Sequence, residues 1–252
     1  MSKRDFLVEI GTEELPPKSL FTLAEAFAAG VTKGLDDAAI KHGDVKWYAT
    51  PRRLAVFVAG VADQQPDQQI KRQGPAVANA FGPDGQPTKA ALGFAASCGV
   101  AVDQLLQVDG PKGKVLQFEG SKQGAATTSL LPGIVSTSLD NLPIARRMRW
   151  GSGSQEFVRP VHWVVMLFGS SVVEAEILGI RAGKQSQGHR FHGPKQLVIS
   201  NPAKYAEVLL QKAHVVADVG ARRERIRAEV NAIADSIGGL AVIEDWLART
   251  RS

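Results

Sequence analysis

Three arginines and an indole stand within six residues in Arg146-Arg147-Met148-Arg149-Trp150-Gly151, and Phe157-Val158-Arg159-Pro160-Val161-His162-Trp163 follows shortly after. Guanidinium groups pair with phosphate and flat rings stack on unpaired bases, so this interleaving suits RNA. Residues 146–195 carry eight basic and three acidic side chains. Within them His189-Arg190-Phe191-His192 lies between Gly188 and Gly193, which predicts a loop. Such a loop could offer Arg190 to a phosphate and its rings to bases. Thr50-Pro51-Arg52-Arg53 opens an apolar strand, with Pro51 fixing φ at its entry. Successive residues of a strand point to opposite faces, so at most one of these two arginines is expected on a single surface. A solvated turn is the plain alternative there. Trp163 runs on into an apolar strand and is expected in the core, whereas Trp150 suits either core or stacking platform. The candidate nucleic-acid contacts are therefore Arg52, Arg53, Arg147, Arg149, Trp150, Arg159, His189 and Arg190.

No self-contained catalytic set accompanies them. Gly179 to Lys184 has the wrong spacing for a phosphate loop and no Ser or Thr after the lysine. Gly151-Ser152-Gly153 is too short for a nucleophile elbow, and residues 151–156 lack the third glycine of a dinucleotide fingerprint. His189 and His192 have no neighbouring Cys or acid to complete a metal set. No catalytic residue, no metal site and no cofactor bound by this chain are expected. Arg222, Arg223, Arg225 and Arg227 crowd the start of a long helix, where cations oppose the dipole. An anionic partner would compensate them, as would Glu224, Glu229 and solvent.

The elements that must hold these groups follow from periodicity. Phe6–Ile10 reads as a strand, and Lys18 to His42 has helical spacing, weakened by Gly30 and Gly34. Leu54–Val58 reads as a strand, and the Gln, Gly and Pro of residues 63–88 suggest loops. Lys89 to Ser97 is a short helix, Val115–Glu119 a strand, and Gly124 to Leu142 a helix interrupted near Pro132-Gly133. Val161–Phe168 and Val172–Ile180 flank Gly169-Ser170-Ser171 as a hairpin. Leu197–Ser200 is a further strand candidate, and Asn201-Pro202 opens a helix to about Lys212. Asp218 caps another helix ending at Gly238-Gly239, with Val219, Ile226, Val230, Ile233 and Ile237 on one face. Without a regular βαβ alternation the fold class is α+β, mixed helices with antiparallel sheet. Four regions are expected: an N-terminal α/β region over 1–62, an excursion with helices over 63–145, a β-rich basic region over 146–200, and a helical region over 201–252.

Composition bounds the remaining possibilities. The 252 residues are 44% hydrophobic and 22% charged, values of a globular chain with a real core. The net charge is +5, but residues 1–45 hold five basic and eight acidic side chains, so the excess lies in the remainder. That balance suggests an anionic partner. The single cysteine, Cys98, excludes an internal disulfide framework and reads as a buried thiol in a reducing compartment. The start carries no sustained apolar region, and Leu54 to Ala62 is about half of a membrane-spanning length. A soluble, cytoplasmic protein with no membrane partner is expected.

Several stretches together resemble the beta subunit family of the bacterial-type heterotetrameric glycyl-tRNA synthetase. They are Leu7-Val-Glu-Ile-Gly-Thr-Glu-Glu-Leu-Pro-Pro17, Ala49-Thr-Pro-Arg-Arg-Leu-Ala55, Gly85-Gln-Pro-Thr-Lys-Ala-Ala91 with Gly93-Phe94, Met148-Arg-Trp-Gly151, Phe157-Val-Arg-Pro-Val-His-Trp163 and Gly188-His-Arg-Phe191. They occur in the family's order and span nearly the entire chain. The resemblance implies an alpha2beta2 heterotetramer in which the alpha subunit activates glycine with ATP and Mg. It implies that beta binds tRNA(Gly) and completes the enzyme, while neither subunit alone aminoacylates. Family beta subunits are longer and continue into an HD-like region and an anticodon-binding domain. Likeness is read through Asp245, and Trp246 to Ser252 departs from the family, which predicts a truncated product, a frameshift or a fragment. Two other functions stay open: a module that docks the alpha subunit without binding tRNA, and an independent small-molecule enzyme.

Overall fold

A computed structural model describes residues 2–82, 85–110 and 113–243. The first strands and helices are β1 (Lys3–Thr12), α1 (Leu20–Asp37), β2 (Val45–Thr50) and β3 (Arg53–Ala62). There follow β4 (Gln68–Ala76), α2 (Val77–Ala80), α3 (Lys89–Cys98), β5 (Leu106–Gly110), β6 (Gly113–Lys122) and α4 (Thr127–Asp140). Short strands come next: β7 (Met148–Arg149), β8 (Glu156–Phe157), the longer β9 (Val161–Phe168), β10 (Ser171–Val172), β11 (Glu176–Ile177) and β12 (Ile180–Arg181). The described chain closes with β13 (Gln185–Ser186), β14 (Leu197–Val198), α5 (Tyr205–Ala213) and α6 (Val219–Ser236). Helices and antiparallel sheets are mixed without βαβ units, so the fold is α+β.

The chain divides into two compact units, residues 66–124 and the two segments flanking them. The larger unit is built on a five-stranded antiparallel sheet in the order β10-β9-β1-β3-β2. β1 is central, and its residues 6–12 are buried on both faces. Strand alternation then sorts its side chains. Phe6, Val8 and Ile10 join a core with Leu23, Phe27 and Val31 of α1 and Leu131 and Val135 of α4. Leu7 joins a second core on the other face, with Trp163 and Val165 of β9 and Tyr205, Leu209 and Ala213 of α5. Gly30 and Gly34, which weaken α1 as an isolated helix, lie where α4 crosses it. An added Cβ would come within 2.9 Å of Ser138 Cβ and 2.5 Å of Ile134 Cγ2.

The smaller unit is a three-stranded sheet, β4-β6-β5, with Ala80, Ala91, Ala95, Leu105 and Leu116 as its core. Its strand β4 falls where loops were expected. The segment is polar, so its pairing with β6 from Gln68↔Lys122 to Gln73↔Gln117 holds it extended rather than any apolar stripe. Cys98 is half-buried, not enclosed as expected.

Two other expectations need correction. Helix α4 runs unbroken through Pro132, because the missing N–H removes one intrahelical bond while Leu131 and Val135 stay packed in the core. The expected second hairpin strand shortens to Ser171–Val172 paired with β9. Leu178 and Gly179 then take positive φ, so the segment turns into the β11–β12 pair instead of continuing. Among the described residues no helix is long and apolar enough to cross a membrane.

Helix α6 is tied down at its first turn. The Asp218 carboxylate accepts from Ala221 N at 2.9 Å and meets Lys46 Nζ at 2.6 Å. Burial alone would raise the Asp218 pKa, but the Lys46 and Ala221 bonds outweigh it and hold it below its ordinary value. Lys46 is raised, chiefly by its bond to Asp218. The depressed carboxyl stabilises the fold above its ordinary pKa of 3.8 and loses that contribution as pH falls through its lower folded value. The raised amine contributes below 10.5 and loses its share as pH rises past its higher folded value. Asp218→Ala is expected to cost about 1 kcal/mol, read by chemical unfolding, and to abolish an acid-side loosening of α6 that hydrogen exchange would detect in the wild type. Beyond this anchor the predicted stripe is open, with Ile233 and Ile237 63% and 77% exposed.

Candidate nucleic-acid interface

The second face of the sheet carries a buried polar cluster. Glu9 of β1 is fully buried, and its Oε1 accepts from Trp163 Nε1 and from Ser186 Oγ, the latter at 2.6 Å. Arg53 Nη1 stands 3.7 Å from Glu9 Oε2, and its Nη2 donates to Gln187 O at 2.7 Å. Register explains the meeting. Gly11 lies opposite Arg53 on β3 and Trp163 on β9. A Cβ on Gly11 would sit 1.9 Å from the Trp163 ring, so the missing side chain admits the indole that reaches Glu9. Tyr205 is enclosed beside this cluster, and burial followed by the Glu9 charge pushes its phenol well above the ordinary value.

Arg53 thereby links the core to the loop from Gly188 to Gly193. That loop is pinned by His189 N donating to Ala213 O, Gly193 N to His189 O and Gly188 N to Pro194 O, each at 2.8 Å. Inside it His189 Nδ1 accepts from the backbone N–H of Phe191 and His192 at 3.2 Å, and the two imidazoles stack at 4.8 Å. These contacts turn Phe191 outward, 80% exposed. Between the loop, the β2–β3 turn and the start of α6 lies a cavity of about 360 Å3, bordered by Arg52, Arg53, His189, Arg190, His214 and Arg222 among others.

Arg52 and Arg53 both border this cavity, and both guanidiniums lie over the Trp163 ring, at 5.9 and 5.7 Å. The expectation that they face apart is corrected: Arg52 sits in the turn before β3, so strand alternation does not apply to it. The solvated-turn alternative fails for Arg53, whose side chain is 3% exposed. Four candidates, Arg52, Arg53, His189 and Arg190, therefore converge.

The other four lie apart from the cavity wall. Arg159 Nε donates to the carbonyl of Glu14, whose carboxylate is 4.0 Å from Arg190 Nη1. Arg159 also reaches Met148 Sδ at 3.9 Å, which connects it to the β7–β8 ribbon. There Arg149 pairs with Glu156 at 3.0 Å. Arg147 donates to the carbonyls of Leu139 and Asp140 and so caps α4. Trp150 is half-buried against the first core, between its two expected roles.

Two further basic residues of the cavity, His214 and Arg222, lie outside the eight candidates. His214 ends α5 at φ 56°, a conformation that local spacing does not signal. Arg222 is buried and donates to Ala49 O and Val216 O at 2.9 and 2.7 Å. Its helix neighbours form local pairs instead, Arg225 with Glu229 and Arg227 with Glu224. Among the described residues no three His, Cys, Asp or Glu side chains gather as a metal site.

The model of the family described as glycyl-tRNA synthetase beta subunit matches residues 6–250. The chain belongs to this family. The likeness extends past Asp245, beyond the end expected from the motifs; residues 244–252 lie outside the described structure. The chain is 51% identical over 247 residues to the glycine–tRNA ligase beta subunit of Hahella chejuensis. It is 48% identical over 248 residues to that of Marinobacter nauticus and 47% over 247 residues to that of Salmonella newport. Each comparison covers 98% of this chain and 36% of the relative, so the chain spans about a third of the length of these beta subunits.

Proposed function

We propose that the chain serves as the N-terminal part of a glycine–tRNA ligase beta subunit, holding tRNA(Gly) and adjoining the alpha subunit of an alpha2beta2 enzyme. The alpha subunit would use ATP with Mg for glycine activation, and this chain would contribute no reacting group. The observation that carries the tRNA reading is the convergence of Arg52, Arg53, His189 and Arg190 with exposed Phe191 around one cavity. Phosphate contacts from the three arginines fix the register of a nucleic acid, while an exposed ring offers a surface for an unpaired base.

Binding of this kind releases counterions, so tRNA affinity is expected to fall steeply between about 50 and 200 mM salt. Arg190→Ala, at an exposed loop position, is expected to weaken tRNA uniformly and reduce the salt slope by about 1. Affinity that ignores salt and this substitution contradicts the electrostatic reading. Mixed with alpha subunit, the chain is expected to support little or no glycylation, with a full-length beta subunit as the active control. The second reading is a docking module for the alpha subunit that binds no tRNA. The internal engagement of Arg147 and Arg149 favours it, since those guanidiniums already serve the fold. Co-purification with alpha subunit without measurable tRNA binding would select it.

A further inference from the structure

The wall of the cavity holds two buried donors without acceptors. Neither Arg52 Nε nor Arg53 Nε has a hydrogen-bond partner, although the Arg53 side chain is 97% enclosed, being only 3% exposed. Unmet N–H groups of this kind are costly, and both side chains contribute to the cavity lining although their Nε atoms are shielded from it. At the mouth Phe191 presents its ring to solvent. Glu14 is the acid among the lining residues, and it leans toward Arg190 at 4.0 Å without a close bond. The cavity volume, about 360 Å3, falls in the range of small-ligand pockets.

We propose that this cavity takes up one unstacked nucleotide of a bound RNA, with its phosphate toward Arg52 and Arg53 and its base against Phe191. The proposal rests on the tRNA-binding reading above and names the unit that the site accepts. A bare phosphate would use the arginines and leave the ring idle. A nucleotide uses both, because stacking on an aromatic side chain tolerates any base face. The Glu14 carboxylate adds a preference, since it accepts from the exocyclic amino group of adenine or cytosine, whereas uracil carries no amino group and flanks its single N3–H donor with two carbonyls that repel a carboxylate. Taking a base from a single-stranded region costs little, because no pairing is broken.

Calorimetric titration of the chain with AMP, CMP, UMP and inorganic phosphate tests this, with tRNA(Gly) binding followed in parallel by fluorescence anisotropy. AMP and CMP are expected to bind roughly tenfold more tightly than inorganic phosphate, and Phe191→Ala to remove that advantage. Glu14→Gln is expected to level UMP with CMP. Both changes lie at exposed positions, and unchanged circular dichroism confirms that they fold. Mononucleotides that bind no better than phosphate, while tRNA still binds, overturn the nucleotide pocket and leave the tRNA reading standing. Mononucleotide binding without tRNA binding overturns the RNA-bound form of the proposal together with the tRNA reading. Loss of both signals overturns both.

Discussion

Arg53→Ala is expected to cost about 3–5 kcal/mol of unfolding free energy, because it strands the Glu9 carboxylate in the interior. Glu9 is fully buried on the central strand, and the Arg53 guanidinium at 3.7 Å is its cationic partner. Trp163 and Ser186 would still donate to Oε1, but Oε2, which has no hydrogen-bond partner, would lose the guanidinium 3.7 Å away. The same change frees Gln187 O, which receives Arg53 Nη2 ahead of the cavity loop. Two losses are therefore expected together, one in stability and one in loop order. Arg53→Lys keeps the charge but not the fork, so it should fall between wild type and alanine. Glu9→Leu combined with Arg53→Met removes both charges and should recover much of the stability, but not the link to Gln187. Urea unfolding of the four proteins separates these cases. An Arg53→Ala cost under about 1 kcal/mol, the value of a surface pair, would show that the pair is not structural.

Gly193→Ala is expected to be the most damaging small change in the cavity loop. A Cβ there would lie 2.3 Å from His189 N and 2.5 Å from Ala213 O, the two atoms of the bond that pins the loop to the end of α5. Both obstacles are backbone, so neither can rotate away. The loop must shift, taking His189, Arg190 and Phe191 with it. The expected cost is about 1–3 kcal/mol of stability, with at least a tenfold loss of tRNA affinity if stacking and phosphate contact go together. Gly153→Ala serves as control, since its Cβ would meet nothing closer than 4.0 Å. Equal tRNA affinity for Gly193→Ala and wild type would remove the loop from the interface.

Much of the sheet was legible locally. Strands β1, β3 and β9 are near-continuous apolar runs, and the lack of polar alternation is the pattern of strands buried on both faces. Strand β4 was not legible, because its polar residues are held by the partner β6 and not by their own pattern. Gly30 and Gly34 read as weaknesses of α1 until α4 is seen packed against them. The cavity was legible only in part. Arg52, Arg53, His189 and Arg190 announce themselves by type, but their meeting depends on pairings across more than a hundred residues. The buried pairing of Arg53 was illegible for the same reason, since nothing near it in sequence reveals Glu9. His214 and Arg222 reach the cavity through a left-handed helix end and a backbone anchor, neither of which leaves a spacing signature.

The central claim is that RNA lies on the face centred on the Gly188–Gly193 loop. Photo-crosslinking of tRNA(Gly) to the chain, followed by peptide mapping, tests it most directly. The predicted result is crosslinks at Phe191 and its loop, extending through Arg159 toward Met148 and weakening with salt. Crosslinks confined to the unit of residues 66–124, with none on the loop, would contradict it.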